Sequence, residues 1–204
     1  MLFRSGDDID DEARLFLGFF LDGTRRMQDL VRDLHAYAQL ESEEFETRSI
    51  STEALFERLS SNLQARPDAL VFPTTNLCVE VHEGMVSQLL LNLVQNAVKY
   101  GPIEGPSRVE FSISLLDKTS SGAERPLVRF EVEDNGIGIE PQFHETIFEI
   151  FQRLHNKQEY PGTGIGLALC KRICELHGGE IGVTSAAGEG ARFWFTLPAA
   201  DEAC

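Results

Sequence analysis

The stretch YPGTGIGLALCKR at residues 160–172 sets three glycines in five positions directly ahead of an amphipathic run that reads as a helix. Such a turn offers bare backbone N–H groups at the positive end of a helix dipole, the geometry that receives phosphate. Two common phosphate loops are excluded. A P-loop needs two glycines five apart followed by Lys-Ser or Lys-Thr, and neither is present. A dinucleotide-binding turn follows a buried strand, whereas this one is approached through FQRLHNKQEY, which is too polar.

A second glycine cluster lies upstream in EVEDNGIGIEP, where a strand pattern ends in Asp134 and Gly136 and Gly138 follow. Asp-Asn-Gly is good turn chemistry. Equally, a carboxylate at a strand end can accept a hydrogen bond from a ligand amino group, with the glycines leaving bare backbone for a flat ligand. Between the clusters the chain runs from Ile139 to Pro161 with room for about one helical turn, the length of a lid or binding loop. Further upstream, GMVSQLLLNLVQNAVKYG reads as a helix. At 100° per residue Asn92, Asn96 and Lys99 fall within about 60° of one another, and Leu89, Leu90, Leu93, Val94 and Ala97 take the core side. Two carboxamides and an ammonium on one stripe are either a solvated face or a holder for hydrated Mg²⁺ and phosphate oxygens.

The rest of the chain predicts a mixed α+β domain. TEALFERLSSNL (52–63) reads as a short amphipathic helix, and ALVF and LCVEV read as strands. RVEFSISLL (108–116) and PLVRFEVED (126–134) alternate as strands around the polar loop DKTSSGAER. A helix over about 164–177 closes at HGG, and EIGVTS and ARFWFTLP complete the set. Without regular βαβ alternation, the expected fold is a two-layer α/β sandwich, a mixed sheet with helices on one face. Ahead of it, residues 7–41 predict one long helix. Ile9, Ala13, Phe16, Phe20, Gly23, Met27, Leu30, Leu34 and Tyr37 keep a 4-3 spacing, a seam that needs a partner helix from another copy or another protein.

At 204 residues, 42% apolar and 25% charged, the chain has the composition of a globular domain with an appendage. A net charge of −15 argues against nucleic acid as a partner. No apolar run is long enough for a membrane segment, and the N-terminus lacks a signal peptide's apolar core. Cys78, Cys170, Cys174 and Cys204 show no metal spacing, so buried thiols in a reducing cytoplasm are expected.

The asparagine helix, DNGIGI and GTGIGL occur in that order, and with them the sequence resembles the ATP-binding catalytic domain of sensor histidine kinases, of the GHKL ATPase superfamily. NLVQNAVKY resembles the N box, DNGIGIE the G1 box, IFEIFQRL the F box and GTGIGLALCKRICELHGG the G2 box, over roughly residues 47–198. FQRLHNKQEYPGTGIGLA looks like phytochrome-type kinases, and GTRRMQDLVRDLHAYAQLES resembles the second helix of their dimerisation and phosphoacceptor domain. The resemblance implies a Bergerat-type fold with three parts: a partial dimerisation helix (1–46), the ATPase domain (47–198) and a short tail (199–204). It also implies ATP and Mg²⁺ as cofactors. Asn96 would ligand Mg²⁺ with Asn92 beside it, the two acting with Lys99 in catalysis. Lys99 and Tyr100 would line the phosphate and ribose side. Asp134 would accept the adenine amino group, with Gly136 and Gly138 against the ring. Phe148, Phe151 and Arg153 would order the lid, and Gly162, Thr163, Gly164, Gly166 and Leu167 would border the phosphates.

ATP-hydrolysing relatives such as gyrase and Hsp90 carry a glutamate at the position of Asn92. A carboxamide cannot serve as a general base near neutral pH, so transfer of the γ-phosphoryl to a histidine is implied instead of hydrolysis. Ala191 departs from the Ser or Thr of many relatives. The implied partners are a second kinase chain, paired through the N-terminal helix, and a response regulator whose aspartate receives the phosphoryl group. The implied compartment is the cytoplasm. None of the five histidines occupies a phosphoacceptor position. His35 reads as packing or a helix flank, His144 lies beside the F box, His155 in the lid, and His82 and His177 at helix ends, His177 suiting a helix dipole. The chain is therefore expected to begin inside the helical hairpin and to bind ATP without phosphorylating itself. The alternative is a non-catalytic ATP-binding regulator acting on another kinase in trans.

Overall fold

The structure, a computed structural model, describes residues 11–40, 46–63, 67–116, 125–154 and 162–200. Its elements run α1 (Asp11–Gln39), β1 (Arg48–Ser51), α2 (Thr52–Asn62), β2 (Ala69–Val71), β3 (Cys78–Val81), α3 (Glu83–Lys99), β4 (Arg108–Leu116) and β5 (Leu127–Asp134). Two single 3-10 turns follow, Pro141–Phe143 and Thr146–Phe148, then α4 (Gly166–Leu176), β6 (Ile181–Ser185) and β7 (Ala191–Pro198).

Five strands form a sheet in the order β2-β4-β5-β7-β6, parallel between β2 and β4 and antiparallel elsewhere. Strand alternation decides which face the helices cover. Val128, Phe130 and Val132 of β5 and Phe193, Phe195 and Leu197 of β7 are buried. The alternate residues carry cross-strand polar pairs, with Arg129 stacked over the Trp194 ring at 4.4 Å and Arg192 bonded to Glu133. The sheet is therefore apolar on one face, where α2, α3 and α4 contribute Leu55, Leu59, Leu89, Leu90, Leu93 and Ile173 to one core. At its centre Phe130 and Phe195, paired in register, stack with ring centroids 4.8 Å apart. This is the expected two-layer architecture.

The helix ends follow from capping. Ser51 Oγ accepts from the Ala54 N–H to open α2, and His82 Nδ1 accepts from the Met85 N–H to open α3. Glu83 in the first turn and Lys99 in the last suit the dipole of α3. Glu83 also pairs with both Arg48 and Arg58, joining β1, α2 and α3.

One strand went unread in the sequence, and three expectations need correction. The strand β1 is not legible in RSIS, which has one apolar residue; it forms because its backbone pairs with β3 in a small second sheet. The seam of α1 divides. Phe16, Phe20, Met27, Leu30 and Leu34 are exposed, but Tyr37 packs against the domain core. Ile9 and the side chain of Ala13 lie outside the described residues. Cys170 and Cys174 are buried free thiols, burial pushing Cys170 up to about 12, whereas Cys78 is disulfide-bonded and not a thiol. Cys204 lies outside the described residues. Finally, His177 is no charged partner of a helix dipole. It is buried, its Nδ1 within 2.7 Å of the Ile173 carbonyl, and its Nε2 accepts from the His82 N–H at 3.0 Å. Nε2 can accept only if unprotonated, so Nδ1 carries the proton and the ring is neutral.

Burial lowers the His177 pKa below the ordinary 6.5, although the bond to Ile173 opposes this. The unfolded chain then takes up the proton first, so this contribution to stability is present above pH 6.5 and lost as pH falls through the folded value. Urea midpoints measured from pH 8 to pH 5 are expected to fall below about pH 6.5, and His177→Gln is expected to flatten that part of the profile.

Candidate functional site

The end of β5 builds the floor of the site. Asp134 Oδ1 accepts from the Gly136 N–H at 2.8 Å and from the Ala191 N–H at 3.2 Å, binding the turn after β5 to the start of β7. Burial raises the Asp134 pKa, and those two backbone bonds oppose the shift. No hydrogen bond among the described residues uses Oδ2. The departure at Ala191 is resolved by its backbone, which makes the contact whatever the side chain. Ser185, unremarked in the sequence, aims the next stretch: its Oγ accepts from the Ile139 N–H at 2.8 Å and donates to the Gly190 carbonyl at 2.6 Å.

Around Asp134 lies a cleft of about 600 Å³, with apolar walls from Ile137, Ile139, Ile147, Leu154, Leu167 and Phe193. Of the sequence-predicted residues, Asn96, Tyr100, Asp134, Gly138, Arg153 and Leu167 line it. The Asn96 carboxamide is half-buried and has no hydrogen bond among the described residues. Apart from Leu167, the apolar wall residues were not among the sequence-predicted site residues, because an apolar side chain carries no polar signal that would single it out.

The two glycines after Asp134 serve close packing as well as access. A Cβ on Gly136 would lie 2.1 Å from the Tyr100 carbonyl oxygen, and one on Gly138 2.0 Å from that of Ala186. Gly138 borders the cleft; Gly136 does not, its bare Cα lying under the end of α3.

Beside the cleft, the glycine loop meets α3. Asn92 Nδ2 donates to the Gly166 carbonyl at 3.3 Å while its Oδ1 accepts from Gln88 at 3.0 Å, so both ends of this carboxamide are engaged. Lys99 Nζ lies 4.5 Å from the centre of the Tyr100 ring, and a Cβ on Gly162 would come within 2.7 Å of that ammonium. The bare Cα leaves room for the amine to lie against the loop. Arg153 Nη1 donates to the Gly162 carbonyl at 2.6 Å, and the Phe151 N–H donates to that of Gly164 at 3.0 Å. Phe151 holds φ at 68°, unusual for a residue with a side chain, and its ring is exposed. Phe148, in contrast, is buried against Phe193. Thr163 Oγ1 donates to Asp33 of α1. Helix α4 opens at Ile165, whose own N–H reaches Thr163 Oγ1, and among the described residues no N-cap side chain accepts from the first-turn N–H groups. The stretch 155–161, with His155, lies outside the described residues.

The sequence-predicted residues thus gather into two adjoining halves, a mainly apolar cleft with one half-buried carboxylate and a cationic, glycine-lined helix start. The first can hold a flat heteroaromatic ring by its faces and one donor. The second can hold an anion.

Comparison with known proteins bears on this arrangement. The family model described as histidine kinase-, DNA gyrase B-, and HSP90-like ATPase matches residues 82–201. Cyanobacterial phytochrome A of Nostoc sp. is 38% identical over 96% of this chain and 25% of its own length. Phytochrome-like protein Cph1 of Synechocystis sp. is 33% identical, again over 96% of this chain and 25% of its own. This chain thus spans about a quarter of the length of these curated relatives. Full-length ShkA, solved in complex with AMPPNP, superposes with a TM-score of 0.71 at 27% identity, covering 97% of this chain and 41% of that one.

Replacing Gly138 tests the close packing at the cleft. Gly138→Ala adds a backbone clash to the strain of φ 72°, while Gly105→Ala meets open space at φ 88°. Chemical denaturation is expected to show a loss of about 1 kcal/mol for Gly105→Ala and at least about 2 kcal/mol for Gly138→Ala.

Proposed function

Because the chain belongs to the family of histidine kinase-, DNA gyrase B- and HSP90-like ATPases, we propose that it is the ATP-binding catalytic portion of a two-component sensor histidine kinase. The observation that carries this reading is the Asp134 carboxylate, held by two backbone N–H groups in a mainly apolar cleft with one oxygen that no hydrogen bond among the described residues uses. A purine ring fits such a cleft: its faces meet Ile137, Ile139 and Phe193, and its amino group supplies the donor that Oδ2 lacks. The triphosphate then extends toward Lys99 and the loop of Gly162, Thr163, Gly164 and Gly166, where the N–H groups opening α4 await an anion.

Magnesium fits beside the phosphates. The half-buried Asn96 carboxamide, without a hydrogen bond among the described residues, offers the neutral oxygen that a hard, partly hydrated cation accepts. Bound there, the metal would neutralise phosphate charge. This chain's own residues do the positioning: Asp134 sets the ring, Lys99 and the loop orient the phosphates, and Arg153 and Phe151 hold the lid end of that loop.

Asn92 supports phosphoryl transfer over hydrolysis. Its amide is engaged by Gly166 and Gln88, and a carboxamide is no base for water. The acceptor we propose is a histidine on a dimerisation domain, with the phosphoryl group passing on to a response-regulator aspartate. We assign residues 1–46 to the dimerisation region and 47–198 to the ATPase domain. Ala199 and Ala200 extend it by pairing with Val79 and Cys78. The exposed apolar residues Leu15, Phe16, Phe19 and Phe20 of α1 support pairing with a second kinase chain. A cytoplasmic site of action follows from the need for ATP. Among the described residues no helix is long and apolar enough to cross a membrane.

Calorimetry with a non-hydrolysable ATP analogue tests this. Asp134→Ala is expected to weaken binding by roughly tenfold or more, the worth of a hydrogen bond to a charged group. Asn96→Ala is expected to abolish the added affinity that Mg²⁺ provides. Parent affinity in both variants overturns the reading. Protonation removes the negative charge that strengthens the hydrogen bond from the ligand, and burial raises the Asp134 pKa. Affinity is therefore expected to decline on acidification at a pH above the ordinary carboxylate range, a dependence that Asp134→Asn lacks.

A further inference from the structure

The hydroxyl of Thr163 has one proton to give, and α1 holds it. Thr163 Oγ1 donates to Asp33 Oδ2 at 2.5 Å, while the same oxygen accepts from the Ile165 N–H at 3.3 Å. The contact joins residues 130 positions apart, between the long helix and the centre of the glycine loop. It is not an isolated touch. Asp33, Ala36, Tyr37 and Leu40 are half-buried at i, i+3, i+4 and i+7, while Leu34, His35, Ala38 and Gln39 between them are exposed. Tyr37 and Leu40 pack against the domain core, so one stripe of α1 is docked and carries Asp33 to the loop.

The other side-chain and lid-side ties on this loop engage carbonyl oxygens, those of Gly162 and Gly164 from the lid side and that of Gly166 from Asn92 of α3. Carbonyl oxygens have no part in binding an anion. Thr163 differs, because its hydroxyl is a donor that a phosphate oxygen can use, and a hydroxyl donates one hydrogen bond at a time. Asp33 presents to it an anionic oxygen, chemically the same kind of acceptor as a phosphate oxygen.

Resting on the reading that this loop receives the phosphates of ATP, we infer that Asp33 is a built-in competitor of the nucleotide at Thr163. While the Asp33 stripe is docked, the hydroxyl is spent and a negative charge stands at the place where phosphate must arrive. Binding of the triphosphate releases Asp33, and anything that shifts α1 frees Thr163. The coupling is reciprocal by linkage: a position of α1 that lowers nucleotide affinity is itself disfavoured by nucleotide to the same factor.

The test is calorimetry on the whole chain, with the non-hydrolysable ATP analogue plus Mg²⁺ and separately with adenosine, which has no phosphate. Asp33→Ala is expected to tighten the analogue by about tenfold, one charge-assisted hydrogen bond's worth of competition, and to leave adenosine unchanged. Asp29→Asn removes the same charge one turn earlier on α1, where Asp29 is exposed and paired with Arg32. It is expected to alter analogue affinity by less than about twofold, because solvent screens an exposed charge. In a Thr163→Val background, Asp33→Ala is expected to have no effect. Asp33→Asn, which keeps the shape of the side chain, serves if the alanine variant does not fold. An unchanged analogue affinity on removing Asp33, or an equal gain from Asp29→Asn, overturns the inference. If binding is still lost in Asp134→Ala, the ATP reading survives that result. If the parent chain binds neither ligand, both fall.

Discussion

One carboxylate holds the site together. Asp134 closes β5, and its Oδ1 gathers the backbone N–H groups of the turn after β5 and of the first residue of β7. The approach is tight enough that a Cβ on Gly190 would lie 2.0 Å from the Asp134 carbonyl oxygen. Ser185 adds a third strand by linking Gly190 to Ile139. The cleft floor is thus backbone laid on backbone, which leaves no slack for side chains beneath it. Burying the charge has a cost, visible as the raised pKa, and a ligand donor reaching Oδ2 would relieve it.

The cationic half of the site depends on how α3 meets α4. Asn92 ties α3 to Gly166, and Cys170 on α4 packs under Leu89, so the helix that carries the asparagine stripe is fixed against the helix that follows the loop. Lys99, one turn beyond Asn96, then falls beside Gly162. The groups of the cleft and those of the cationic helix start come from different layers of the fold, and a core built on the Phe130–Phe195 stack keeps those layers in register.

Much of this was legible in the chain itself. The alternation in RVEFSISLL and ARFWFTLP marks strands because one sheet face is buried and the other wet. The stripe of Asn92, Asn96 and Lys99 is a matter of helical periodicity alone. What escaped did so for physical reasons. RSIS has no pattern of its own, because β1 exists only through its pairing with β3. The contact at Ala191 is made by a backbone N–H, which every residue but proline has. Ser185 acts through partners 46 and 5 positions away, a spacing with no sequence signature. Nor could the 4-3 spacing tell that Tyr37 leaves the seam of α1 to join the core, since both roles ask for an apolar face.

Sequence by itself determined the elements and the chemistry available to them: a helix with a carboxamide stripe, a strand ending in a carboxylate, and glycines where backbone must turn or approach closely. These are local properties, set by periodicity and by the conformations each residue tolerates. Tertiary structure alone decided which groups remain open to a ligand. Among the described residues, the Asn92 side chain is engaged while that of Asn96 is not, Asp134 keeps one oxygen of two, and the Thr163 hydroxyl is held by a carboxylate 130 residues away. The reason is that a polar group's availability depends on who its neighbours are in space, and the chain chooses them only when it packs.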